Sequence, residues 1–303
     1  MKLLGIHRET LYSPERENDD TAILRLTAEA LQTQGFDVQT KGIEEVRASD
    51  LHQPIFGMCE GPQGIEFLKK AEAGGYRVIN GSQAALNCHR WRMWPLLQKA
   101  AAPLPSTVIV LIHGATPPRL FKKLQMQGAQ PRPSEAYLVS TPQRVPREGN
   151  EADGLFQQPD KRLWIKRGDV HNTQEGGDVV YVDTDEGIER TLQNMASRGI
   201  EKVLIQEHVD GDLIKFYGII GSDWFKWFYH KGVSRGIPFD ESELRSVVDR
   251  AAKAMGLEIF GGDVIAAPDR MVLIDINSWP SFALCRDEAS QQIADYLKRR
   301  FSE

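Results

Sequence analysis

Apolar and polar positions alternate between two periods along the first third of the chain. Residues 2–6, Lys-Leu-Leu-Gly-Ile, form a short continuous apolar run that predicts a buried strand. Residues 19–34 repeat apolar side chains at helical spacing and stop at Gly35. Phe36–Thr40, Pro54–Cys59 and Arg77–Asn80 predict three further strands, with a helix over 65–73 between the last two. Strands alternating with helices imply a parallel α/β lobe. Gly57–Gly64 falls at the C-terminal end of a strand, which is either a ligand-binding position or a tight strand-to-helix turn.

Ser82 predicts the start of a short helix through Cys88, and a second helix runs from Arg90 to Ala102 with Pro95 near its first turn. Residues 103–160 hold many of the prolines and predict long connections with a helix near 118–127, as a lid insertion or as surface loop. Beyond 160 the pattern sharpens. Leu163–Lys166 and Asp178–Val182 predict strands around a glycine-bearing loop, Arg167–Gly177. Asp183, with Glu186 three residues on, predicts a helix start, and Gly199 ends that helix. Lys202–Val209 predicts a strand, Ile214–Ile220 and Trp224–Tyr229 a hairpin, 240–255 a helix, and 287–301 a terminal helix.

Between the last two helices lie two apolar runs that carry acids: Gly261-Gly262-Asp263-Val264-Ile265 and Leu273-Ile274-Asp275-Ile276-Asn277. With a connecting loop of three or five residues, Asp263 falls opposite Asp275, and Asn277 shares their face. Opposed like charges destabilise a sheet unless a cation sits between them. The hairpin is therefore either a solvated edge or a site for a hard dication such as Mg²⁺.

Composition narrows the classes. The chain has 303 residues, 41% of them hydrophobic, and a net charge of −5. That is enough for two domains or three small lobes. It offers no global basic field for nucleic acid. Three cysteines far apart fit neither a disulfide framework nor a zinc site, and predict a reducing, cytoplasmic setting. No run approaches the roughly 20 apolar residues of a membrane span.

The glycine-bearing loop after Lys166 is either a phosphate-covering segment, with Lys166 and His171 adding charge, or an ordinary hairpin loop; it is not a P-loop. Gln206-Glu207-His208-Val209 leaves a strand into a turn and suits an adenine edge, with Asp212 placed for ribose hydroxyls. The order of these pieces is the stronger signal. Asn80-Gly81-Ser82, Asn87-Cys88-His89-Arg90, a helix and Pro103–Thr107 come first. The Trp164–Lys166 strand and its loop follow, then Gln206–Val209, Asp263 and Asp275-Ile276-Asn277-Ser278-Trp279-Pro280-Ser281. This ordered set, over about residues 80–300, resembles the ATP-grasp superfamily, and residues 1–80 resemble the α/β domain that precedes the grasp.

The resemblance implies an α/β protein with an ATP-grasp fold: an N-terminal α/β domain over 1–86, a central lobe with a lid over 87–205, and a C-terminal lobe with the metal site over 206–303. It implies ATP as cofactor with Mg²⁺, or Mn²⁺ in its place. Lys166 and Arg90 would contact phosphate, Arg90 standing where many members have lysine. Gln206, Glu207 and Val209 would hold adenine, Asp212 ribose, and Gly176 and Gly177 the closing loop. Asp263, Asp275 and Asn277 match the metal ligands, with Asp where many ligases have Glu. Lys166, His171 and Arg286 are the candidates to act on the reacting groups. His7, Arg8, Lys215 and Arg286 are the candidates to bind an anionic small-molecule or peptide substrate. Lys226, Lys231 and Arg235 add to the basic residues of the C-terminal half.

Most of the superfamily activate a carboxylate for attack by an amine or thiol; a minority phosphorylate hydroxyls, as inositol tris/tetrakisphosphate kinases do. Lys215-Phe216-Tyr217 and Pro280 after the metal motif lean toward the kinases, and superfamily frequency toward a ligase acting through an acyl phosphate. A nucleotide-binding regulator without turnover is the third reading.

Overall fold

A computed structural model describes residues 1–13, 17–112, 162–170 and 176–302. The expected helix near 118–127, most of the lid region and His171 lie outside the described residues. The chain divides into two compact units: Met1–Cys88 with Gly211–Glu303, and His89–Asp210.

The first unit opens with β1 (Lys2–Ile6), α1 (Glu17–Thr33), β2 (Asp37–Lys41), β3 (Ile55–Gly57), α2 (Pro62–Ala73), β4 (Val78–Ile79) and α3 (Ser82–Asn87). The strands form a parallel sheet in the order β2-β1-β3-β4, as the alternating pattern predicts. α1 buries Ile23, Leu24, Thr27, Ala28 and Leu31, the stripe left by three- and four-residue spacing, while Glu17, Asp19 and Asp20 complement its N-terminal dipole. Each fully buried leucine or isoleucine here contributes about 1.5–3 kcal/mol.

The second unit holds α4 (Arg90–Lys99), β5 (Thr107–Leu111), β6 (Leu163–Arg167), β7 (Val179–Val182), α5 (Asp185–Ser197) and β8 (Lys202–Glu207). Its antiparallel sheet runs β5-β8-β6-β7. Val108, Val110, Ile165 and Ile205 pack against Ile188, Leu192 and Met195 of α5. Three expectations shift. β5 occupies Thr-Val-Ile-Val-Leu, inside the stretch read as connection. The cap of α5 is Thr184, whose hydroxyl accepts from Gly187 N, and not Asp183. Pro95 lies inside α4 beyond its first turn.

The first unit resumes with β9 (Asp212–Ile219), β10 (Phe225–Tyr229), α6 (Glu241–Met255), β11 (Ile259–Ala266), β12 (Met271–Ser278) and α7 (Arg286–Ser302). A second, antiparallel sheet runs β10-β9-β11-β12. Asp240 caps α6 by accepting from Ser242 N and Glu243 N, and Gly256 ends it in the left-handed conformation. α7 returns to the N-terminal half, where Ile293, Ala294, Leu297 and Phe301 share one core with Leu3, Ile23, Leu24 and Leu31. No helix among the described residues is long and apolar enough to cross a membrane.

Candidate active site

The acidic hairpin reaches its register by an unexpected route. The loop between β11 and β12 has four residues, Ala267 to Arg270, since Ala266 pairs with Met271. An uninterrupted ladder would then set Asp263 opposite Ile274 and turn Asp275 to the other face. Val264 pairs with Leu273, yet Asp263 pairs with Asp275, so Ile274 is an extra residue in β12. This bulge restores the facing carboxylates that the sequence predicts only for an odd loop. Gly262 makes room for it: a Cβ there would stand 2.1 Å from the carbonyl oxygen of Asp275.

On that face, Asn277 Nδ2 donates to Asp275 Oδ2 at 3.2 Å. Asp275 Oδ1 and Asn277 Oδ1 are buried, and no donor among the described residues reaches either. Buried acceptors ordinarily find a partner. Among the described residues no group of three or more His, Cys, Asp and Glu side chains gathers as a metal cluster. Two carboxylates and an amide with two orphaned oxygens fit instead a hard, oxygen-seeking dication that takes its remaining ligands from elsewhere. The next strand supplies Lys215, whose Nζ donates to Asp263 Oδ1 at 2.9 Å.

The end of β12 is clamped from the N-terminal sheet. Asn80, just past β4, donates from Nδ2 to Ile259 O at 2.7 Å and to Ser278 Oγ at 2.9 Å; its Oδ1 accepts from Glu258 N and Ile259 N. Arg8 donates from Nη2 to Ser278 O at 3.2 Å and Trp279 O at 2.9 Å. Its guanidinium pairs with Glu60 at 2.9 Å and Asp20 at 3.4 Å, all three side chains being nearly fully buried. Arg8 is thus built into the fold, and its charge already has two carboxylates.

Two further basic residues are similarly engaged. Arg286 pairs with Asp19. Lys226 pairs with Glu288 at 2.9 Å, and Glu288 also accepts from Trp224 Nε1. His7 lines a cavity of about 210 Å³ with Glu9, Glu17, Asp20 and Glu44; burial holds its imidazole below the usual range, against the opposing pull of Glu45. The Asp212 carboxylate accepts from Arg235 N at 2.6 Å, Ser234 Oγ at 3.0 Å and Ile237 N at 3.1 Å, fixing the segment over 234–237. Burial pushes this carboxyl up, but those hydrogen bonds outweigh it and hold it below the usual range.

In the second unit, Lys166 Nζ donates to Gln206 Oε1 at 2.6 Å. Gln206 Nε2 donates to Thr107 Oγ1 at 3.2 Å, and that hydroxyl donates to Pro105 O at 3.0 Å. Gln206 is almost fully buried, so both ends of its amide have fixed partners. Glu207 and Val209 follow at the strand's end. Arg90 opens α4, and its Nη1 donates to Arg167 O at 3.1 Å, beside Lys166. Gly177, with φ 92°, precedes the buried Asp178, which pairs with Arg198. Gly176 is described without a close neighbour at its would-be Cβ; His171 is not among the described residues.

Sequence reasoning placed Asn80 and Thr107 among the ordered pieces but gave them no role, and it missed Glu60 and the bulge at Ile274. Their roles depend on partners far along the chain, except that Thr-Val-Ile-Val-Leu was itself a strand signal.

No protein-family model matches the chain. A probable alpha-L-glutamate ligase from Haemophilus influenzae is 22% identical over 253 residues, covering 81% of this chain and 74% of that protein. The structure is similar to a RimK domain ATP-grasp protein from Sphaerobacter thermophilus, at 14% identity and a TM-score of 0.62 over 97% of this chain and 98% of the other. It is also similar to D-alanyl-alanine synthetase A from Vibrio cholerae, at 12% identity and a TM-score of 0.68 over 100% and 97%. The chain has the ATP-grasp fold, with a parallel α/β domain ahead of it.

Proposed function

We propose that this protein is an ATP- and divalent-metal-dependent ligase that joins a carboxylate to an amine through an acyl phosphate. The observation that carries the reading is the acidic hairpin. Asp263, Asp275 and Asn277 share one face, and two of their oxygens are buried without a donor among the described residues. The relatives point the same way, since a probable alpha-L-glutamate ligase and a D-alanyl-alanine synthetase both carry names of bond-forming enzymes.

In this reading Lys166 and Arg90 meet the phosphates. Gln206, Glu207 and Val209 meet the adenine edge, with Gln206 Oε1 as acceptor. Asp263, Asp275 and Asn277 hold Mg²⁺, which when bound neutralises charge on the transferring phosphoryl group. A substrate carboxylate oxygen attacks the γ-phosphorus and ADP leaves. The amine then attacks the acyl carbon, the acyl C–O bond breaks with its electron pair leaving on the phosphate oxygen, and the departing phosphate or solvent takes the amine proton. No protein nucleophile is needed, which suits a chain without a triad signature.

The kinase reading is the weaker one. A polyphosphorylated acceptor needs several uncommitted cations, because each phosphate carries close to two charges. Lys226 and Arg286 instead pair with Glu288 and Asp19. The test is ADP release from Mg-ATP across amino acids, peptides and inositol phosphates, with product masses recorded. Amide products from carboxylate substrates support the ligase. ADP release only with inositol phosphates, giving phosphate esters, overturns it.

A further inference from the structure

Lys215, Asp263 and Asp275 stand in one row across three adjacent strands. β9 pairs Lys215 with Asp263, and β11 pairs Asp263 with Asp275. The ammonium takes Asp263 Oδ1 at 2.9 Å. It therefore occupies one carboxylate of the site that the orphaned Asp275 and Asn277 oxygens mark for a dication. The two side chains are each about a quarter exposed, 27% for Lys215 and 26% for Asp263.

We propose that Lys215 is a placeholder cation. This rests on the reading of Asp263, Asp275 and Asn277 as metal ligands. While no metal is bound, the ammonium neutralises Asp263 and relieves the repulsion across the hairpin. The row then carries one net negative charge where the carboxylates alone carry two. A free dication meets a site already half neutralised and binds weakly. A dication arriving with a nucleotide brings phosphate oxygens that offer the ammonium a new anionic partner. Lys215 is suited to the exchange: its charge is compact and sits on a flexible four-carbon stem. The consequence is an order of binding, in which the metal enters with the nucleotide and the protein alone does not accumulate it.

The alternative is an ordinary partly exposed ion pair, which has little effect on stability or binding. Direct Mn²⁺ binding to the full chain without nucleotide, read by electron paramagnetic resonance, separates the two. Lys215→Met and Lys215→Gln should each bind Mn²⁺ roughly tenfold more tightly than wild type, while Lys215→Arg should bind as wild type does. The two neutral variants should melt below wild type without metal and recover with Mn²⁺. A non-hydrolysable ATP analogue should bring wild type most of the way to the neutral variants' affinity. A gain in affinity is a change that general damage to the fold does not produce. If both neutral variants bind Mn²⁺ no more tightly than wild type, the placeholder role is wrong and the metal site stands. If no variant holds Mn²⁺ even with the analogue present, the metal reading beneath it fails as well.

Discussion

Asn80 Nδ2 donates to Ser278 Oγ at 2.9 Å, and so ties the end of the parallel sheet to the strand that carries Asp275 and Asn277. The same amide spans to the start of β11 through Glu258 and Ile259, so one buried side chain holds both strands of the acidic hairpin. Asn80→Ala should destabilise the protein by about 3 kcal/mol in chemical denaturation, because it strands several buried donors and acceptors. Asn80→Asp, which keeps the acceptor and loses the donor, should fall between. A loss under about 1 kcal/mol for the alanine variant would remove the clamp.

Asp275→Asn should lower turnover by roughly two orders of magnitude or more and abolish Mn²⁺ retention in the presence of nucleotide. Its melting temperature without metal should equal or exceed that of wild type, since the carboxylate pair across the hairpin is gone. Wild-type Mn²⁺ retention in the variant would take Asp275 out of the metal set.

Thr107→Val removes the hydroxyl that accepts from Gln206 Nε2. The Gln206 amide then has a buried Nε2 without that acceptor and is held through Oε1 by Lys166 alone, so it is placed less firmly. Calorimetry should show roughly fivefold weaker binding of an ATP analogue, the equivalent of one hydrogen bond, and a smaller preference over the guanine analogue. Unchanged affinity and preference would leave Thr107 a strand residue only.

Asp212 makes acid stability predictable in sign. Its folded carboxyl lies below the ordinary range, so its contribution is present above the unfolded value near about pH 4. That contribution is lost as pH falls through the folded value. Asp212→Asn should therefore be less stable than wild type at neutral pH, with the gap closing below about pH 4. Parallel stability curves down to strong acid would contradict the hydrogen-bonded role of the carboxylate.

The elements were largely legible in the sequence, because burial on one face imposes its period on the residues. α1 is read from the helical spacing of its apolar residues, Ile23, Leu24, Ala28 and Leu31 among them, and from Gly35 behind it. The ordered pieces from Arg90 to Asn277 also point to the ATP-grasp fold, which the structural likenesses bear out. Register was not legible. A four-residue loop alone sets Asp275 on the wrong face, and only the extra residue at Ile274 recovers it. Partnership over long range was not legible either. Arg8 looks like a cation free for substrate until Asp20, Glu60 and the carbonyls of Ser278 and Trp279 close around it. The same holds for Asp212, whose carboxylate is filled by backbone donors that no motif announces.

Hydroxylamine trapping is the most direct test of the ligase chemistry. The full chain is incubated with Mg-ATP, a panel of amino acid and peptide carboxylates, and hydroxylamine in place of the amine. The predicted result is a hydroxamate formed in step with ADP, dependent on the carboxylate and lost in Asp275→Asn. ADP formed alongside a stable phosphate ester, with no hydroxamate from any carboxylate, would contradict an acyl phosphate and with it the proposed reaction.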